Sequence, residues 1–115
     1  MVVFKGGEGE LLENEITRNG RSGVTVETGS APCVEKNTIT HNERYGVHYY
    51  SEGMGRLVNN DINNNKASGI CYESGARPLN EYNRVIKNAD VGVLLREDDK
   101  TLHKNIIKDN KIFRY

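Results

Sequence analysis

The chain has no surplus of charge: 16 lysines and arginines face 16 aspartates and glutamates. That balance gives no electrostatic reason to expect nucleic acid or an anionic membrane surface as a partner. No apolar run approaches the ~20 residues that cross a bilayer. The opening Met1-Val2-Val3-Phe4-Lys5 is shorter than the apolar core of a secretory leader, and no Asn-x-Ser/Thr acceptor occurs. There are only two cysteines, Cys33 and Cys71, and they occupy different phases of the pattern described below. They are expected on different sides of the molecule, out of disulfide reach, so two reduced thiols and a cytoplasmic location are the expectation. No window holds apolar residues at helical spacing over ten residues, which excludes long amphipathic helices. No Gly-x-Ser-x-Gly elbow or phosphate loop is present, and Gly6-Gly7-Glu8-Gly9 is too short to cradle a nucleotide.

What the chain has instead is a period. Asn14, Asn37, Asn60 and Asn83 recur every 23 residues. Asn19, Asn42, Asn65 and Asn88 keep the same step, as do Gly23, Gly46, Gly69 and Gly92, and Ile16, Ile39, Ile62 and Val85. One unit reads Leu-x-x-Asn-x-Ile-x-x-Asn-x-x-x-Gly-Val-x-Val. A fixed repeat in the low twenties marks a solenoid whose units stack on their neighbours. Within each unit, short β-branched stretches alternate with period two and are broken by Gly and Asn. The predicted fold is all-β: a right-handed parallel β-helix of about five coils, one domain over residues 1–115.

The columns assign the interior. Val24, Val47, Ile70 and Val93 form one inward stack, and Val26, Tyr49, Tyr72 and Leu95 a second. Ile16, Ile39, Ile62, Val85 and Ile107 form the third, and Leu11, Val34, Leu57 and Leu102 the fourth. The Asn columns are expected at turns, where Asn tolerates a left-handed backbone and pairs with the Asn one rung away. The Gly column is expected to supply a backbone angle that other residues resist. The last coil is one residue short at Leu102 and Asn105. Pro32 and Pro78, like Gly29 and Gly75, are two repeats apart, as are Gly9 and Gly55. Odd and even coils are therefore expected to use different turns.

The strings Gly-Val-x-Val-x-Thr-Gly-Ser-x-Pro and Gly-x-Gly-x-Leu-x-x-Asn-x-Ile-x-x-Asn resemble the β-helix of F-box-only ubiquitin-ligase adaptors, a carbohydrate-binding and sugar-hydrolase (CASH), pectate-lyase-like repeat. The resemblance covers about residues 6–113. It implies the fold and, more distantly, a sugar-binding or scaffold role. The F-box and zinc-binding domain of those adaptors have no counterpart here, so ligase recruitment is not implied.

Candidate chemistry gathers on one outward face. One outward column holds Thr25, His48, Cys71 and Leu94; two residues on stand Glu27, Tyr50, Glu73 and Arg96. Carboxylates, an aromatic ring, an imidazole and a guanidinium together suit sugar hydroxyls and ring faces. The ligand-binding candidates are Glu27, His48, Tyr50, Glu73 and Arg96. Glu27 and Glu73 are two rungs apart, about 9–10 Å by strand spacing, near the 6.5–9.5 Å of inverting glycosidases. They are therefore the weak candidates for an acid–base pair. Asp98-Asp99-Lys100 is the one acidic cluster beside a base, as a lyase would need, and a shortened polar turn also accounts for it. Asp61-Ile62-Asn63-Asn64-Asn65 imitates the start of a calcium loop, but Lys66 and Tyr72 stand where Gly and Glu are required. His41, His48 and His103 occupy three repeat phases and are expected exposed on separate faces, so neither a metal nor another cofactor is expected.

Open coil ends expose core side chains and unpaired backbone. Met1 and Val3 are expected to align with Val24 and Val26. Phe4, Phe113 and Tyr115 are expected as lids or subunit contacts, and a two-fold homodimer through the ends follows from the small core. The functional expectation is a non-catalytic binding or assembly module with a carbohydrate or a protein as partner. The alternative is a small carbohydrate-active enzyme, either a glycoside hydrolase or a polysaccharide-lyase-like protein. With no long loop to form a cleft, the first is favoured.

Overall fold

The computed structural model describes residues 1–95 and 102–110, the side chain of residue 103 excepted. Coil one runs β1 (Val2–Phe4), β2 (Glu10–Leu12) and β3 (Glu15–Thr17), and coil two β4 (Val24–Val26), β5 (Cys33–Glu35) and β6 (Thr38–Thr40). Coil three carries β7 (Val47–Tyr49), β8 (Arg56–Val58) and β9 (Asp61–Asn63), and coil four β10 (Ile70–Tyr72), β11 (Leu79–Glu81) and β12 (Arg84–Ile86). The fifth coil is partial: it has β13 (Val93–Leu94) and β14 (Ile106–Lys108), with a 3₁₀ turn at Leu102–Lys104. The described residues thus make four complete turns and part of a fifth, where about five were expected.

Equivalent strands of successive coils pair in parallel and build three sheets: β1-β4-β7-β10-β13, β2-β5-β8-β11 and β3-β6-β9-β12-β14. The registers follow the sequence columns, Val24 opposite Val47 and Val47 opposite Ile70, Ile16 opposite Ile39 and Ile39 opposite Ile62. The first coil departs by one residue. Val2 pairs with Val24 and Phe4 with Val26, so Val3 lies opposite Thr25, and the expected alignment of Met1 and Val3 is corrected. A one-residue shift exchanges the faces of a strand. Val2 and Phe4 accordingly pack on the core, while Val3 is exposed.

Val24, Val26, Val34, Val47, Ile39, Leu57, Ile62, Ile70 and Val85 are fully buried, each contributing roughly 1.5–3 kcal/mol of transfer free energy. Asn80 occupies the fourth column between Leu57 and Leu102. Its buried amide donates to the Tyr72 hydroxyl at 2.9 Å and accepts from Asn83 Nδ2 at 2.6 Å, so a polar pair replaces an apolar contact without leaving either group unmet. The Tyr49 hydroxyl, one rung earlier in the same inward column as Tyr72, is buried with no hydrogen-bond partner among the described residues.

Two asparagine ladders run the length of the coil. In the first, Asn60 Oδ1 accepts from the backbone N–H of Asn37 (2.9 Å) and from Asn37 Nδ2 (3.0 Å), while Asn60 Nδ2 donates to Asn83 Oδ1 and to the carbonyl of Val34. The second ladder repeats this through Asn42, Asn65, Asn88 and Asn110. The left-handed residue is not the Asn but the one before it: Glu13, Lys36, Asn59 and Tyr82 in one series, Arg18, His41, Asn64, Lys87 and Asp109 in the other. That geometry turns each ladder Asn inward.

Gly23, Gly46 and Gly69 are required for space, not for φ. A Cβ at Gly46 would lie 2.6 Å from the Gly69 carbonyl oxygen and 2.6 Å from Ile62 Cγ2. The turns differ between odd and even coils, as expected, since Gly55 takes φ 94° at the position that Pro32 and Pro78 fill in coils two and four, but they begin from a shared corner. Gly6, Gly29, Glu52 and Gly75 all take positive φ there, with Glu52 at 62°.

Candidate functional site

The outer face of the β1-β4-β7-β10-β13 sheet carries the candidate residues. The register sets Thr25 opposite His48 and His48 opposite Cys71, as the column pattern anticipates. These outward residues are buried nonetheless, His48 at 7% exposure and Cys71 at 0%. His48 was expected in solvent. It is covered because the Tyr45 ring meets it edge-on at 4.9 Å and the Tyr50 ring lies tilted against it at 4.4 Å. His41 is exposed as expected. The Arg44 guanidinium sits 5.4 Å from the centre of the Tyr45 ring, within cation–π range. Burial pushes the Tyr45 hydroxyl above its ordinary pKa, and the neighbouring Cys71 thiol adds to the shift.

Glu73, just past β10, reaches back across one rung. Its Oε2 accepts from His48 Nε2 at 2.8 Å, and the Cys71 thiol points at the same oxygen at 3.7 Å. Ligand atoms of His48, Cys71 and Glu73 all fall within 4.8 Å of one another. His48 thus acquires a thiol and a carboxylate as neighbours, while the side chain of His103 lies outside the described residues. Column position signalled the His48–Cys71 contact; the reach of Glu73 depends on the corner after β10 and was not readable.

Glu27 lies on the other side of His48. With Thr25, Arg44, Tyr50, Met1 and Val3 it lines a recess of about 80 Å³, far below the 300–1,000 Å³ of enclosed small-molecule pockets. Glu27, His48, Tyr50 and Glu73 thus share one surface, with Glu73 engaged by His48 and Glu27 at the recess. Arg96 and the Asp98-Asp99-Lys100 cluster lie outside the described residues, as do Phe113 and Tyr115. The calcium-like string serves the fold: Ile62 is core, Asn65 is a ladder residue, and Asp61 Oδ1 accepts from Asn63 Nδ2 at 2.9 Å. Among the described residues no helix is long and apolar enough to cross a membrane. Neither cysteine is in a disulfide.

Searches of curated proteins and of solved structures returned no match to this chain. A family model described as the right-handed β-helix region matches residues 1–113. With three parallel sheets built from strands that recur once per coil, the chain belongs to the right-handed β-helix family.

Proposed function

We propose that this chain is a non-catalytic binding module that holds a carbohydrate on the outer face around His48. The observation that carries this reading is an open, shallow recess lined by the exposed Tyr50 ring, the Arg44 side chain and the Glu27 carboxylate. Sugar rings stack on aromatic faces, and carboxylates and guanidinium groups exchange hydrogen bonds with hydroxyls. Binding is favoured over hydrolysis because Glu73 is directed to His48, not across a water-filled gap toward Glu27. A glycoside hydrolase using Glu27 and Glu73 is the competing reading.

The test is calorimetric titration with neutral and acidic oligosaccharides, followed by product analysis. Binding without turnover, weakened about tenfold (about 1.4 kcal/mol) by Tyr50→Ala, is the expected result. Turnover abolished by Glu27→Gln would establish the hydrolase. No binding to any sugar would shift weight to assembly, a reading supported by the partly buried Val2, Phe4 and Leu11 at the first rung. A second copy or a further coil would cover them, and light scattering over micromolar concentrations reads the first of these.

A further inference from the structure

We infer that His48, Cys71 and Glu73 form a mononuclear metal site, with Zn²⁺ as the cation its donors select. The set offers one imidazole nitrogen, one thiol sulfur and one carboxylate oxygen, all within 4.8 Å of one another. Sulfur disfavours Ca²⁺ and Mg²⁺, which take oxygen ligands, while a mixed nitrogen, sulfur and oxygen set suits zinc. Bond lengths of 2.0–2.3 Å in a tetrahedral arrangement place neighbouring donors about 3.3–3.6 Å apart. The Cys71–Glu73 separation of 3.7 Å already matches this spacing. The His48–Glu73 separation of 2.8 Å must widen by about half an ångström. The remaining pair, at most 4.8 Å apart, closes by no more than about 1.2 Å. Side-chain rotation supplies shifts of that size without moving the strands.

The scaffold favours the site. His48 and Cys71 stand opposite each other in the paired strands β7 and β10, so backbone hydrogen bonds fix their separation. The rings of Tyr45 and Tyr50 hold the imidazole plane, the kind of outer support that orients metal ligands. Three protein donors leave a fourth position for water or a ligand atom. The same residues do not form a nucleophilic triad. In such a triad the thiol meets the imidazole, and the carboxylate takes the other ring nitrogen. Here the imidazole nitrogen and the thiol both turn to one carboxylate oxygen. Once the two protons that now link them to that oxygen are gone, three ligand atoms so close can turn to a cation set between them. On binding, the thiol proton leaves to solvent and the Nε2 proton is exchanged through solvent to Nδ1, so the thiolate and the Nε2 lone pair bond to the metal.

The test uses the whole chain, stripped with a chelator, titrated with Zn²⁺ by calorimetry and with Co²⁺ by absorption. One saturable site per chain is expected, with a near-ultraviolet thiolate-to-cobalt band. Cys71→Ser should abolish the band and weaken Zn²⁺ by at least about tenfold, the scale at which even outer-shell partners act. Cys33→Ser, on a different sheet, should leave both unchanged. If circular dichroism shows Cys71→Ser misfolded, His48→Gln replaces it, with the band kept and the affinity lowered. Binding that is absent or unsaturable overturns the assignment, as does a band that survives Cys71→Ser or disappears with Cys33→Ser.

Discussion

On the inner face of β4, β7 and β10 stand Val24, Val26, Val47, Tyr49, Ile70 and Tyr72; on the outer face of the same strands stand Thr25, His48 and Cys71. The inner set repeats a theme, because each side chain must fill the same cross-section and stack on its equivalent one rung away. The outer set changes character at every rung, yet it too is buried. Burial there comes from side chains laid over the sheet, not from the coil interior. Repetition along a column marks what holds the solenoid together, and buried variation marks what the solenoid holds.

That contrast is open to direct perturbation, and the inner, repeating side should respond most. Asn60→Ala removes an acceptor of Asn37's N–H and Nδ2 and a donor to the carbonyls of Val34 and Val58. At about 1–3 kcal/mol for each buried group left unmet, urea unfolding should show a loss of about 4 kcal/mol or more. A loss below about 1 kcal/mol would mean that water replaces the ladder.

The two inward tyrosines sharpen the comparison at smaller scale. Tyr72→Phe deprives the buried Asn80 amide of its hydroxyl partner and should cost about 1–3 kcal/mol. Tyr49→Phe removes a hydroxyl that has no partner among the described residues, so its unfolding midpoint should stay level or rise. Equal losses in the two variants would dissolve the distinction.

The smallest effect belongs to the outer face. Glu73→Gln keeps the shape while removing the charge of the partly exposed pair with His48, and should change stability by under about 1 kcal/mol. A larger loss would make the outer cluster part of the scaffold.

The columns, the registers from the second coil onward and the Asn-to-Asn pairing were all legible, because a strict period fixes which residues stack. Three features were not. The left-handed residues are Lys36 and Asn59 and their equivalents, not the ladder Asn, because an inward amide requires the reversal one step earlier. Gly46 resists substitution through crowding by Gly69 and Ile62, and spacing does not separate crowding from φ. The shift at Val2 depends on a step one residue short, in a strand whose Val-Val-Phe composition suits either face. In the candidate site, column order placed His48 beside Cys71. Burial by Tyr45 and Tyr50 and the return of Glu73 arise from side-chain directions that no period encodes.

The asparagine ladders also give the molecule a direction. Each ladder Asn gives its backbone N–H to the Oδ1 of the next coil, from Asn14 through Asn37, Asn60 and Asn83 to Asn105, while its Nδ2 reaches both ways, as Asn60 does to Asn83 Oδ1 and back to the Val34 carbonyl. Within a ladder the Oδ1 atoms thus look toward the lower-numbered coil, and it is this one-way acceptance that gives the axis its sense. A ladder amide is therefore a rivet through three coils: Asn60 fastens to Asn37 on one side and Asn83 on the other, so its loss loosens both neighbours as well as its own turn.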